Sequence, residues 1–318
     1  CAPFASLHQP NLSESRLNEW QQLFDAGEKA RGSGNFREAA VDYDQAAKID
    51  PTFAELRFHR GQCALQLKDL ATARTEFTAA RDLDALRFRC DIRLEKLIWQ
   101  EAQEAVTLAD GERALAEASA DGLPGAHFFY EHVHLTFPGN YTLARVITEK
   151  VEKALALPTS ATWPTIDECE QRLGHTPRDT QMAYSAMLGR LTDIPFTLQA
   201  NHDEQLSYLT AAARALPPAN SVASLRQAQS TVEAAVARWP EDAALWEQLG
   251  EIKQAQGDFA SASAAAQRSL DKVPSSADCW QLYGISLGQE GKYENAISAF
   301  QHVFALDPQA VWARQNLA

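Results

Sequence analysis

Residues 246–284, WEQLGEIKQAQGDFASASAAAQRSLDKVPSSADCWQLYG, start and finish on the same beat: Trp246, Gly250, Ala262 and Pro274 recur 34 residues on as Trp280, Gly284, Ala296 and Pro308. A fixed period of this size marks stacked helical units. Near the other end, Gly27, Ala39, Tyr43 and Ala46 keep step with Gly61, Ala73, Phe77 and Ala80. Each residue type has a packing reason. Glycine lets one helix approach the next, alanine keeps the contact surface small, Tyr43 fills the core, and Pro51 ends a helix because it has no amide proton to donate. The first unit is expected over about Trp20–Phe53 and the second over Ala54–Arg87, where Ala85 replaces the proline and frees the chain to leave the array.

This beat resembles the tetratricopeptide repeat, which implies a mainly α fold of helical hairpins in two arrays. A half-formed unit is expected from about Glu204, since Ala228 and Pro240 precede Ala262 and Pro274 at the same interval. Residues 311–318, VWARQNLA, begin one more helix and stop. An array ending in mid-unit leaves an uncapped apolar face, so the chain reads as a piece of a longer protein.

Composition narrows the function classes. With 45% hydrophobic and 22% charged residues the chain is an ordinary folding sequence, and its net charge of −13 repels phosphate backbones and anionic lipid headgroups. Nucleic acid is not an expected partner, and no run of 18 apolar residues offers a membrane span. The five cysteines show no C-x-x-C spacing, so no zinc ribbon or disulfide framework is expected; Cys63, Cys90 and Cys279 read as small buried hydrophobes in helices. Cys1 as an acylated first residue is the lesser reading. No cofactor signature is present, and the compartment stays open between cytoplasm and an extracytoplasmic site reached through an upstream anchor.

Between the arrays the register fails. RFRCDIRLEKLIWQEAQ (87–103) is an amphipathic helix with Ile92, Leu94, Leu97 and Ile98; EAVTLAD (104–110) reads as a buried strand; and a helix from Tyr141 to Leu155 places Leu143, Val146, Ile147 and Val151 on one side. Helix, strand, loop and helix make a small incomplete α/β piece whose remaining sheet must lie elsewhere. The boundaries expected are 1–16 for a lead-in with Asn11 or Ser13 as helix cap, 17–87 for the first two repeats, 88–155 for the α/β piece, 156–203 for a helical linker and 204–318 for the second array.

Glu131-His132-Val133-His134, in a loop before a helix, carries the chemistry. An acid three residues before a histidine can orient an imidazole as a base. His127, Glu131, His132 and His134 also offer metal-ligand types, and the histidines of a loop can simply pack, with Phe128, Phe129 and Tyr130 as anchors. The segment LPGAHFFYEHVHLTFPGNYTLARVI (123–147) resembles the closing block of SGNH (GDSL-type) hydrolases, and CAPFASLH, LRFRCDIR and FYEHVHLTFPGNY together resemble bacterial proteins in which tetratricopeptide repeats interrupt such a domain. The resemblance implies His134 as general base and Glu131 in place of the orienting aspartate. Glutamate is one methylene longer. Nothing here matches the family's serine turn or its oxyanion Gly and Asn; Ser6, Ser13 and Ser15 lie in a polar lead-in without a strand-turn-helix setting. The expectation is therefore a catalytically silent segment completing a hydrolase-like core encoded upstream, with the ester hydrolase or acyltransferase as the alternative.

Residues of the first helix in each repeat line the concave side, so Glu247, Glu251, Gln254, Asp278, Gln281 and Gln289 are expected to face a ligand in the second array. That face is acidic and amide-rich. It suits a basic or neutral peptide or protein segment, or another part of the same protein. Phe24 and Phe58 share a groove position 34 residues apart and read either as a peptide contact or as internal packing.

Overall fold

The computed structural model describes residues 2–104, 106–157 and 162–309. The expected helix at 311–318, Cys1 and the middle of the link at 158–161 lie outside them. Among the described residues the secondary structure is helical, without a sheet. The chain divides into two compact units, residues 1–161 with 187–210, and 162–186 with 211–318.

In the first unit, α1 (Glu14–Gly32) pairs with α2 (Phe36–Ile49) and α3 (Ala54–Gln66) with α4 (Leu70–Leu83). Ser13, not Asn11, caps α1, accepting from the Arg16 amide. Gly27 and Gly61 meet the helix behind them so closely that an added Cβ would lie 2.5 Å from the Tyr43 ring and 2.7 Å from that of Phe77. The turn inside each hairpin contains one left-handed residue, Gly34 and then Lys68 with φ of 78° and 64°. Lysine there carries a steric cost that glycine avoids.

The lead-in is tied to this array by buried carboxylates. Asp50 accepts from the His8 ring at 2.8 Å and the Gln9 amide at 3.1 Å, and Asp84 from the Phe4 and Ala5 amides at 3.0 and 3.1 Å. Ala85, standing where proline would fall, donates its amide to Ala5 O.

After the array come α5 (Ile92–Glu104), α6 (Gly111–Glu117) and α7 (Phe137–Ala154). The strand expected at 104–110 does not form: described residues 106–110 are irregular, and Val106 is exposed. With no neighbouring strand, its backbone groups have no ladder to join. The same lack of a sheet leaves Leu94, Leu97, Ile98, Ile147 and Val151 about half exposed, although their spacing predicts apolar faces. Cys90 precedes α5 and is exposed, while Cys63 and Cys279 are buried as expected. The α/β sandwich piece is thus replaced by helices and loops.

The remaining helices are α8 (Ile166–Arg172), α9 (Pro177–Arg190), α10 (His202–Ala215), α11 (Val222–Arg238), α12 (Ala243–Ala255), α13 (Phe259–Leu270), α14 (Ala277–Gln289) and α15 (Tyr293–Leu306). In the second unit α12 pairs with α13, α14 with α15, and α11 packs between α12 and α8. Gly257 and Gly291, both at φ 79°, make the inner turns. The Trp246 and Trp280 indoles donate to Pro240 O and Pro274 O at 2.8 Å each, so the tryptophan of one unit is fastened to the proline closing the previous one. Gly174, at φ 66°, sits against Val232 and Leu245 and accepts through its carbonyl from Gln248 at 3.0 Å. Residues 166–179 therefore cover the start of this array.

Candidate functional site

The Glu131 loop is closed at its base by a single antiparallel bridge, Phe129 to Leu135, with Tyr130 N donating to His134 O and Thr136 N to Phe128 O, both at 2.9 Å. Thr136 then caps α7 and donates its hydroxyl to His127 O at 2.6 Å. Inside this loop the buried Glu131 carboxylate accepts from the amides of Val133 at 3.2 Å and His134 at 2.9 Å, and from that of His132. It also pairs with both imidazoles through Nδ1. Burial pushes the carboxyl up, but the bonds from His132 and His134 and the attraction of the His132 ring outweigh it and hold the pKa at about 2.

The two histidines have different surroundings. His132 is buried among Phe4, Phe88 and Phe196, with ring centroids 4.8–5.6 Å away. His134 is partly exposed, and its Nε2 lies 2.9 Å from the Arg190 guanidinium. A guanidinium only donates, so Nε2 accepts and Nδ1 carries the proton toward Glu131. The sequence-predicted pair is brought together. The position a substrate hydroxyl would need is held by Arg190, which lies 56 residues away in sequence and gave no signal there.

Ser6 accepts from the Glu55 amide at 2.9 Å, and Ser13 caps α1. Among the described residues no group of three or more His, Cys, Asp or Glu could hold a metal ion. Beside Glu131 and His132 lies a cavity of about 460 Å³, bordered by Arg89, Tyr130, Asn201 and Tyr208.

The first array offers little to a ligand. Phe24 and Phe58 are buried, Phe24 stacked on Trp20 at 4.9 Å and Phe58 against Ala2 and Phe77, so both belong to internal packing and not to a peptide site. Arg31 binds Glu28 at 2.8 Å and reaches Glu204 at 3.5 Å. Glu28 also holds Tyr43 and the buried His59; burial raises its carboxyl, and the His59 and Arg31 bonds overcome this and lower it to about 2.

The second array differs. Glu251, Asp278 and Gln289 are exposed and Glu247, Gln254 and Gln281 half-buried. Gln254 is spent on the neighbouring helix, donating to Ser286 Oγ at 3.2 Å, and Glu247 accepts weakly from Ser276 at 3.4 Å. Glu247 is pushed up by desolvation and then by Asp278. Glu251 is likewise pushed up by desolvation; Arg178 opposes this, and Glu247, Asp179 and Asp278 add to it. These carboxylates form one field of like charge. No ion pair compensates Glu247, Glu251 or Asp278 among the described residues. Arg178 and Gln248 were not found by repeat spacing because neither recurs at the 34-residue interval, where Ala212 and Leu282 stand.

The tetratricopeptide repeat family matches residues 24–86 and 248–311, the two regions of regular hairpins. Those regions are tetratricopeptide repeats by both spacing and helix pairing. No curated protein matches the chain in sequence. Solved structures similar to it include a thermophilic tetratricopeptide-repeat protein of Thermus thermophilus, 13% identical over 94% of this chain and 96% of that one, TM-score 0.30. YrrB, a tetratricopeptide-repeat protein with an unusual peptide-binding site, is 10% identical over 95% and 97%, TM-score 0.28. The TPR2AB domain of yeast Sti1, in complex with pHSP90, is 12% identical over 94% and 97%, TM-score 0.29.

Proposed function

We propose that this protein is an interaction scaffold whose second array binds a basic or neutral peptide segment along Glu247, Glu251, Asp278, Gln281 and Gln289. One observation carries the reading: an accessible row of mutually repelling carboxylates without ion-pair partners, on the face where successive first helices meet. A cationic segment relieves that repulsion, and a polar groove of this kind supports affinity on the order of micromolar. The first array and its lead-in serve as support, since Arg31, Asp50 and Asp84 are spent on partners within their own unit. The test is fluorescence anisotropy of the full chain with labelled ten-residue Gly/Ser peptides carrying either two lysines or two glutamates. The lysine peptide is expected to bind and to weaken as salt rises. Preference for the glutamate peptide would overturn the reading.

A second reading rests on a different observation, the pairing of Glu131 with His134 Nδ1. It makes residues 88–155 part of an SGNH-type ester hydrolase or acyltransferase, with His134 as base and Glu131 as its orienter. Ester chemistry needs a hydroxyl at Nε2, where Arg190 now donates. The chain is therefore expected to leave p-nitrophenyl acetate at the background rate. Turnover abolished in His134→Ala would shift the balance to this reading.

A further inference from the structure

The cavity of about 460 Å³ beside Glu131 lies within the first unit, enclosed by the end of α4, the start of α6, the Glu131 loop and the first turns of α10. Its size is that of a small-molecule site. Arg81, Arg89 and Glu112 border it, and all three are within reach of solvent, their side chains 17%, 22% and 66% exposed. Arg81 spends its Nε on Asp82 at 3.0 Å, but its NH1 meets Glu112 only at 3.7 Å and its NH2 meets Glu95 only at 3.8 Å, beyond hydrogen-bond distance. Asp84, which lies 3.7 Å from Arg89, already accepts from the Phe4, Ala5 and Leu86 amides.

Both signs of charge in this cavity are incompletely compensated. Desolvation lowers the Arg89 guanidinium; Asp84 opposes this only in part, and Arg81 adds to it. Desolvation raises the Glu112 carboxyl, and the repulsion of Glu95, Asp110 and Asp82 outweighs the pull of Arg81. A plain anion would relieve the arginines but meet Glu112, and a plain cation would relieve Glu112 but meet two guanidiniums. A ligand carrying both charges suits both. Because Glu112 lies 3.7 Å from Arg81, those two charges must be neighbours on one small molecule. The rest of the wall is aromatic, Phe129, Tyr130 and the exposed Tyr208, against which a flat ring packs well. We propose that this cavity binds a free α-amino acid with an aromatic side chain: its carboxylate lies between Arg81 and Arg89, its ammonium at Glu112, and its ring against Phe129, Tyr130 and Tyr208. In a peptide the two charges sit on different residues, so this site is separate in both place and ligand from the groove of the second array.

Isothermal titration calorimetry of the full chain with L-phenylalanine, phenylpropanoate and phenylethylamine compares the whole head group with each charge alone. L-phenylalanine is expected to bind, and each single-charge analogue to bind at least about tenfold more weakly. Absence of L-phenylalanine binding, or equal binding by either analogue, overturns the proposal, and neither result depends on a variant's folding. Glu112→Gln changes an exposed side chain and should weaken L-phenylalanine about tenfold while leaving phenylpropanoate no weaker, since that probe has no ammonium to lose its partner. Tyr208→Ala should weaken L-phenylalanine and both analogues alike. Unchanged L-phenylalanine binding in Glu112→Gln, or in Tyr208→Ala, overturns the placement of the ligand in this cavity.

Discussion

At the scale of single residues, buried charge and backbone conformation give the sharpest expectations. Glu131 is held at about 2, below its ordinary 4.5, so its contribution is complete above that ordinary value and drains away as pH falls toward 2. Glu131→Gln should therefore cost about 3 kcal/mol at neutral pH and much less in acid. Urea unfolding of both forms between pH 7 and pH 3 measures the narrowing gap; a gap independent of pH would assign the loss to packing. Lys68 is a smaller case, a left-handed residue at the turn position that glycine fills at 34, 257 and 291. Lys68→Gly removes the clash at some entropic cost and should raise stability by roughly 0.5 kcal/mol. A lower denaturation midpoint would mean that the lysine side chain contributes more than the strain removes. The Glu131–His134 pair was legible from three-residue spacing, but Arg190 on the far nitrogen was not, because no local pattern links positions 56 apart.

Helix pairing is governed by close approach. Gly27 has the Tyr43 ring where a Cβ would go, whereas Gly189 in α9 has nothing within 4 Å. Gly27→Ala is expected to lose about 1–2 kcal/mol net, overpacking outweighing the gain in helix propensity, while Gly189→Ala gains about 0.5 kcal/mol. Thermal unfolding of the two variants compares them directly, and stabilisation of both would show that Tyr43 moves aside freely. Spacing predicted the hairpins because glycine, alanine and aromatic positions each answer one packing demand per repeat. It misled for 104–110; for α5 and α7 it placed the helices but not the exposure of their apolar sides. An apolar period reports which face prefers burial, and only a partner element decides whether burial happens.

For the molecule as a whole, the groove proposed for the second unit sets function against stability. Glu251 sits above its ordinary value, so in the free protein its stability contribution is present in acid and is lost as pH rises through the raised value. Glu251→Gln should raise Tm at neutral pH, lose that advantage in acid, and weaken the lysine peptide. A lower Tm at neutral pH would mean that Arg178 compensates the carboxylate fully. By itself the sequence determined the two repeat arrays, since one packing demand returns every 34 residues along the helices, and it offered Glu131 with His134 as one of several readings of a single loop. Tertiary structure alone decided that Phe24 and Phe58 are interior, that no sheet forms among the described residues after α5, and that Arg178 and Arg190 stand where they do. Such contacts join segments far apart in the chain, and the energy that selects them exists only once those segments are packed together.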